Sequence, residues 1–375
     1  MKILIPTILS TKHKVGVTEY LIGLINSIQE IDTENEYFII TTKENRKFFN
    51  ITKDNFKEIV VPIFDFSRIL LRVQYLIFTI FALRPIIKYY KIDLLHEPCS
   101  WYILKKIKTV VTIHDIVELN NKKYTFILNF IKKKMIFSSI QNSSSIISVS
   151  NFTSEQIRKI YNKNDNVFKI YNGISSLQFT YPNKNDVFLE KYKLLSKQYF
   201  IFIGTLLRHK NISRLVKAFS IFFESNQNYK LVLAGKFANA TLAIRKLIKR
   251  TNLEKNVLLT GYFEDVEKVG LIKNAQALLL VSEEEGFGFP ILEAQSLGIP
   301  VITSNTSSMK EIANNSALLV DPNSVSSIVD GMNSIISNSE LEAKLIRLGK
   351  ENIKRYSWDI TAKETIKVYK KTIYC

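Results

Sequence analysis

The chain has only two cysteines in 375 residues, Cys99 and Cys375. That is too few for a disulfide framework or a thiolate metal cluster, and both read as reduced thiols of a cytoplasmic protein. Several nucleotide and metal signatures are also missing. No G-x-G-x-x-G follows the first apolar run, so a dinucleotide oxidoreductase is not expected, and neither G-x-x-x-x-G-K-[ST] nor H-E-x-x-H occurs. No D-x-D pair occurs, so neither a metal on a bound diphosphate nor any other cofactor is expected. Acidic residues are scarce, 34 Asp and Glu against 52 Lys and Arg, for a formal charge of +18. The excess raises the reading of a non-enzymatic nucleic-acid or anionic-polymer binder. However, the lysines are spread along the whole chain, with no zinc-finger spacing, RNP-like aromatic motif or basic tail. The charge is therefore assigned to anionic substrates or an anionic membrane surface, and no nucleic acid is expected as partner.

Long apolar runs are absent too. The first ten residues are apolar but contain Pro6 and run into Lys12 and Lys14 without a cleavage site, so they read as a buried strand. The stretch Ile69 to Tyr90 is broken by Arg72, Gln74, Arg84 and Lys88, and its uncharged span is too short to cross a bilayer. A chain of 375 residues, 46% hydrophobic and 23% charged, suits two globular α/β domains.

Short apolar strands alternate with amphipathic helices throughout. In the first half strands are expected at Lys2–Thr7, Glu36–Thr41, Glu58–Pro62, Leu94–His96, Thr109–Ile113 and Ser145–Val149. The helices between them include Val17–Ile28 and one long helix over Leu70–Tyr90. The pattern loosens around Tyr181–Asp186 and then resumes with strands at Tyr199–Ile203, Lys230–Ala234, Val257–Thr260 and Ala275–Val281. The expected fold is α/β, two doubly wound parallel-sheet (Rossmann-like) domains facing a cleft. The boundaries are 1–178, a linker at 179–196, 197–355, and a terminal helix over 356–375. Ligands of such sheets bind beyond the strand C-termini, so the loops after strands hold the candidates.

The most informative loop is Glu285-Gly286-Phe287-Gly288-Phe289-Pro290-Ile291-Leu292-Glu293, with a helix expected from Glu293 to Leu297. Gly286 and Gly288 permit close backbone approach, and a helix N-terminus suits a diphosphate. The carboxylates Glu285 and Glu293 suit paired hydroxyls, so together these groups describe a sugar-nucleotide site. Taken alone, Glu283–Glu285 is a solvated acidic run and Glu293 an acid in a helix's first turn. Arg208 and Lys210, in the loop after the strand at Tyr199, are placed to meet a diphosphate. Gly16 would let a phosphate approach the first strand's loop, and His114, at a strand end, would hydrogen-bond a sugar hydroxyl. His96 is a similar but weaker candidate. Tyr262, beside Gly261, could flank a nucleotide base, and Leu292 is a further candidate contact.

The E-x7-E spacing, with Ser304–Glu311 and Ala317–Pro322 continuing it, resembles the retaining, metal-independent GT-B glycosyltransferases of family 4, also called group one. The resemblance implies Glu293 on the ribose hydroxyls and Glu285 on the donor sugar. It also implies Lys210 with Arg208 on the diphosphate, His114 near the transferred sugar, and donor contacts from Gly16 and Gly286–Gly288. Tyr356-Ser357-Trp358 resembles the start of a last helix that returns to the first, acceptor-binding domain. Two departures stand out: Val15 precedes Gly16 where a second glycine is common, and His209 lies where an arginine often precedes the lysine.

The implied activity is retaining transfer of a hexose, mannose first, to a lipid-linked or polysaccharide acceptor of a surface glycan such as O-antigen. The expected donor is GDP-mannose, with a UDP-sugar as the alternative. The apolar helix and Lys132–Lys134 point to peripheral docking at the inner face of an anionic membrane. An inactive GT-B partner subunit is the remaining alternative.

Overall fold

The computed structural model describes residues 1–10, 16–64, 68–100, 104, 106–116, 126–174 and 185–374. Lys14 and Val15, residues 175–184 around the expected linker, and the side chain of Lys132 lie outside the described residues. The chain forms two compact units, Met1–Ser175 with Tyr356–Cys375, and Ser176–Arg355.

In the first unit seven parallel strands pair in the order β3-β2-β1-β4-β5-β6-β7. These are β1 (Lys2–Pro6), β2 (Glu36–Thr42), β3 (Phe56–Val61), β4 (Leu94–Glu97), β5 (Lys108–Ile113), β6 (Ser145–Ser148) and β7 (Val167–Lys169). Both faces of the sheet are covered, and so the strands are apolar without alternation. Ile3 and Ile5 pack with α1 (Gly16–Ile31) and the terminal helix α14 (Trp358–Tyr374). Leu4, between them, packs on the other face with Leu71 and Tyr75 of α2 (Arg68–Phe81).

The single helix expected over Leu70–Tyr90 is two helices, α2 and α3 (Leu83–Tyr90), parted at Ala82. Pro85 explains the break. It has no N–H to give the carbonyl of residue 81, and it is tolerated only in the first turn of a new helix. The remaining helices of this unit are α4 (Phe126–Asn142) and α5 (Asn151–Tyr161).

Helix α14 is tied to the sheet by polar contacts as well as by packing. Tyr369 Oη lies 2.5 Å from Nδ1 of the buried His96, whose Nε2 lies 2.8 Å from Thr112 Oγ1. Thr112 Oγ1 is also 2.9 Å from Tyr20 Oη on α1. Thr372 Oγ1 donates to Ser145 Oγ at 2.8 Å. Trp358 lies against two glycines: a Cβ on Gly23 of α1 would stand 2.0 Å from its indole, and one on Gly173 would stand 2.3 Å from its backbone nitrogen.

The second unit holds six parallel strands in the order β10-β9-β8-β11-β12-β13. They are β8 (Tyr199–Ile203), β9 (Lys230–Ala234), β10 (Val257–Gly261), β11 (Ala277–Leu280), β12 (Val301–Ser304) and β13 (Leu318–Val320). Its helices are α6 (Asn185–Tyr192), α7 (Ile212–Ser225), α8 (Thr241–Arg250), α9 (Asp265–Lys273), α10 (Phe289–Ser296), α11 (Ser307–Ala313), α12 (Val325–Ser337) and α13 (Ser339–Asn352). Helix α6 occupies much of the stretch expected to be linker. It belongs to the second unit, where Lys191 Nζ and Tyr192 Oη both donate to Glu267 of α9 at 2.7 and 2.5 Å.

Replacing a helical glycine by alanine ordinarily stabilises a protein by about 1 kcal/mol. At Gly23 the sign should reverse, because the added methyl meets the Trp358 indole, and such overpacking costs about 1–3 kcal/mol. Urea unfolding of Gly23→Ala should therefore show a lower midpoint than the parent chain, and pairing it with Trp358→Ala should relieve most of the clash between the two side chains.

Candidate active site

Strand order in the second unit reverses between β8 and β11, so the loops leaving these two strands border the crevice where a doubly wound sheet takes its ligand. Three adjacent strand ends carry glycine in left-handed or mirror-extended conformations: Gly204 after β8 (φ +150°), Gly235 after β9 (φ +150°) and Gly261 closing β10 (φ +75°). A Cβ on Gly235 would stand 2.0 Å from the carbonyl oxygen of Gly204, so these backbones are closer than any other residue allows.

After β8 the chain makes one 3-10 turn, Arg208–Lys210, and enters α7 through Asn211, a left-handed residue at φ +58°. Asn211 is buried, and its Nδ2 donates to the carbonyl oxygens of Val281 and Pro322 at 3.0 and 2.7 Å. The side chain thereby fixes the Lys210 turn to the end of β11. Lys210 Nζ reaches Glu285 Oε1 at 2.5 Å, and Ser282 Oγ donates to the same oxygen at 2.7 Å. The side chains of the pair are only 18% and 12% exposed. Burial pushes the Glu285 carboxyl up, but Lys210, Ser282 and nearby His209 outweigh it and hold the group below the usual carboxylate range.

The glycine loop is held from behind by α11. Ser307 Oγ accepts from the Glu285 backbone N–H at 3.2 Å, and the buried Ser308 Oγ donates to the carbonyl oxygens of Glu285 and Phe287 at 2.8 and 3.1 Å. Gly288 (φ +108°) caps α10, and Pro290 stands in its first turn. Helix α10 thus begins four residues earlier than expected from sequence. Glu293 falls in its second turn, beyond the reach of the first-turn dipole explanation. Its Oε1 is 3.0 Å from Lys268 Nζ of α9, which also lies 3.8 Å from Asp265.

The expected site residues of the second unit therefore sort into three groups. Lys210 and Glu285 are joined directly, Gly286 and Gly288 form the loop beside them, and Glu293 follows on α10 in its own ion pair. Tyr262 is half exposed and stacked with Phe263, while Arg208 is exposed. The side chains of Phe287 and Leu292 are core: Phe287 is 5% exposed with its ring against Phe289, and Leu292 is fully buried. Buried in this way, the two side chains hold the loop and α10 in place.

In the first unit His114 follows β5. Its Nε2 donates to the Pro98 carbonyl oxygen at 2.9 Å, which leaves Nδ1 as the acceptor. Burial pulls its pKa down to about 4, against the carbonyl bond, so the ring is neutral at pH 7. A neutral imidazole with an acceptor nitrogen suits a hydroxyl donor. Gly16 is the exposed first residue of α1. His96 is no ligand candidate, since both its ring nitrogens are engaged inside the core by Tyr369 and Thr112.

Sequence reasoning missed Lys268, Asn211, Ser282, Ser307 and Ser308. Nothing local separates Lys268 from the other lysines of a Lys-rich chain, and its partner stands 25 residues away. Asn211 carried one usable signal, an asparagine between a basic turn and an apolar-periodic helix.

Two doubly wound parallel units in one chain make the GT-B architecture. The chain belongs to the group 1, family 4 glycosyltransferases: residues 186–352 match the family described as Glycosyl transferases group 1, and residues 16–176 match Glycosyltransferase Family 4. Among its relatives is O-antigen chain mannosyltransferase B of Escherichia coli, 29% identical over 288 residues, 75% of each chain. O-antigen chain mannosyltransferase RfbU of Salmonella typhimurium is 26% identical over 93% of this chain and 94% of its own. The crystal structure of Anabaena HepE with UDP-glucose superposes with a TM-score of 0.73, covering 99% of this chain and 100% of that one at 15% identity.

Removing the Lys210 ammonium would leave Glu285 buried with only Ser282 and nearby His209 to offset its burial. Lys210→Met should raise the Glu285 pKa, read by NMR titration of the labelled side-chain carboxyl. It should also cost about 3 kcal/mol of stability at pH 7, the lower end of the range for breaking a buried pair. In the parent chain the depressed carboxyl stabilises the fold above its unfolded pKa, and that stability is lost as pH falls through the lower folded value. The acid limb of the stability profile should therefore be shallower in Lys210→Met.

Proposed function

We propose that this glycosyltransferase moves a mannosyl unit from GDP-mannose to a lipid-linked or polysaccharide acceptor in surface-glycan synthesis, with retention of anomeric configuration. The observation that carries the reading is the Lys210–Glu285 pair at the β8/β11 switch point, with Glu293 on the next helix. Lys210 has three donors and Glu285 consumes one, so the ammonium can also meet a diphosphate oxygen. Arg208 and the amides at the start of α10 would share that charge, which is the basis for a metal-independent site. Glu285 would accept from sugar hydroxyls and Glu293 from the ribose, and neutral His114 would accept a hydroxyl of the transferred sugar.

In a retaining mechanism without a protein nucleophile, the acceptor hydroxyl attacks on the face the leaving diphosphate departs from. A diphosphate oxygen takes the proton of that hydroxyl as the glycosidic bond breaks. What the chain supplies is position and positive charge on the leaving oxygen. Mannose and the O-antigen setting are supported by the two mannosyltransferase relatives. A UDP-sugar donor is the second reading, supported by the UDP-glucose complex of the HepE structure.

Incubating the chain, with chelator present, with labelled GDP-mannose, UDP-glucose and UDP-N-acetylglucosamine should give turnover with GDP-mannose, and the product anomer follows from NMR coupling constants. Turnover with a UDP-sugar alone would transfer the reading to that donor, and an inverted product would remove the retaining mechanism. Glu293→Ala and Lys210→Ala should each lower kcat by about 100-fold or more. Near-parent rates in both would overturn the site. The kcat profile should show no break near pH 6.5 from His114, which titrates at about 4.

A further inference from the structure

The end of β4 carries another buried acid, which the contacts described so far leave without a role. Side chains alternate along a strand, so Glu97 points to the same face as Leu95, which packs with Leu71 and Tyr75 of α2. Glu97 is 1% exposed, as is Tyr75, whose Oη donates to Glu97 Oε2 at 2.6 Å. The Cys99 backbone N–H donates to the same carboxyl. Burial pushes the pKa of Glu97 up to about 8, against both hydrogen bonds, so the group is a neutral acid at pH 7. An apolar side chain would fill this place without the cost of burying a carboxyl. What it would lack is an acceptor for the Cys99 N–H.

That acceptor fixes the plane of one peptide. Strands β4 and β5 pair in parallel with Glu97 opposite Val111, so the residues that leave the two strands stand side by side. The N–H of the Pro98–Cys99 peptide donates to Glu97, and its carbonyl oxygen accepts from His114 Nε2 at 2.9 Å. A trans peptide is planar, with its N–H and C=O on opposite edges. Holding the N–H toward Glu97 therefore aims the carbonyl at the imidazole. Turning the plane over would bring the Cys99 N–H to Nε2 instead. Nε2 would then be the acceptor, and the imidazole proton would sit on Nδ1.

We propose, on the acceptor role given above to His114, that Glu97 is a positioning residue for sugar transfer. Held by Tyr75, it orients the Pro98–Cys99 peptide so that His114 keeps its proton on Nε2 and offers Nδ1 to a hydroxyl of the transferred sugar. Glu97 is buried too deeply to touch substrate, and it acts through the peptide alone. Its charge is not what the role needs. An acceptor oxygen at that place is.

The test reads the His114 tautomer and the rate of turnover side by side. Long-range proton–nitrogen NMR of the full chain with isotope-labelled histidine at pH 7, assigned by comparison with His114→Ala, should show Nε2 protonated and Nδ1 unprotonated. In Glu97→Leu, close in volume and without an acceptor, Nδ1 should shift toward the protonated type. Its kcat for the donor that the parent turns over, GDP-mannose or UDP-glucose, should fall about tenfold with little change in donor KM. Glu97→Gln keeps an acceptor oxygen and is neutral like the buried acid, so it should show the parent tautomer and the parent rate. If Glu97→Leu fails to fold, Tyr75→Phe carries the test. It removes one hydrogen bond from Glu97 with little change in packing volume, and should move both readouts the same way, the rate by about threefold. A tautomer unchanged in the folded variants, a shifted tautomer with parent kcat, or a low rate in Glu97→Gln would each overturn the proposal. Near-parent kcat in His114→Ala would remove the acceptor role of His114 and the positioning role with it. The NMR readout needs neither donor nor acceptor, so the two failures are told apart.

Discussion

A carboxylate buried at the end of a parallel strand is the constraint that the second unit is arranged around. Charge at such a position is unfavourable unless it is paired and hydrogen-bonded. Glu285 meets that requirement with Lys210 from the neighbouring loop and Ser282 from its own. The pairing works only if two loops 75 residues apart in sequence keep their register. Strand pairing of β8 with β11 supplies the coarse alignment, and Asn211 supplies the fine one by bonding the carbonyls of Val281 and Pro322. Ser307 and Ser308 then hold the glycine loop from the far side. Much of the polar chemistry near the crevice is therefore spent on keeping one acid and one base in place.

Both acids already have an ammonium partner: Glu285 has Lys210 and Glu293 has Lys268. Under the proposed function, donor binding is an exchange of partners at sites whose geometry is already set. A diphosphate draws on Lys210 while sugar hydroxyls compensate Glu285, and ribose hydroxyls add to a Glu293 that Lys268 keeps oriented. Pre-formed groups need less reorganisation at the moment charge develops on the leaving oxygen, and this is where electrostatic catalysis obtains most of its effect.

What could be read in the sequence was local or periodic. The alternation of apolar strands and amphipathic helices carries the parallel α/β class, because strands covered on both faces cannot alternate. Glu285, the glycines and Lys210 stood out because their chemistry is compressed into short loops after strands. What could not be read depends on contacts distant in sequence. The partner of Glu293 is one lysine among many, His96 is engaged by a tyrosine 273 residues later, and α6 becomes a helix by packing on α9. Periodicity also misplaced two boundaries for the same kind of reason. Pro85 divides α2 from α3, and Pro290 opens α10 earlier than its apolar pattern begins. In both cases a proline marks a helix's first turn, a backbone effect to which hydrophobic spacing is blind.

The buried polar network of the first unit shows why the C-terminal helix belongs there. Apolar packing of α14 on α1 would tolerate small slides along the helix axis. The contacts of Tyr369 with His96, Thr372 with Ser145 and Thr361 with the Tyr171 carbonyl permit one register. Burial pulls the pKa of His96 down to about 3, with nearby His114 adding to the effect, so the ring stays neutral and Tyr369, His96, Thr112 and Tyr20 form an uncharged chain of hydrogen bonds. That chain ends at Tyr20, whose ring meets the His114 imidazole edge-on at 4.7 Å. Seating of the last helix and placement of the candidate histidine are thus linked through four buried polar side chains, in which the loss of Tyr369 would leave His96 Nδ1 without its partner and the loss of Thr112 would do the same to His96 Nε2 and Tyr20.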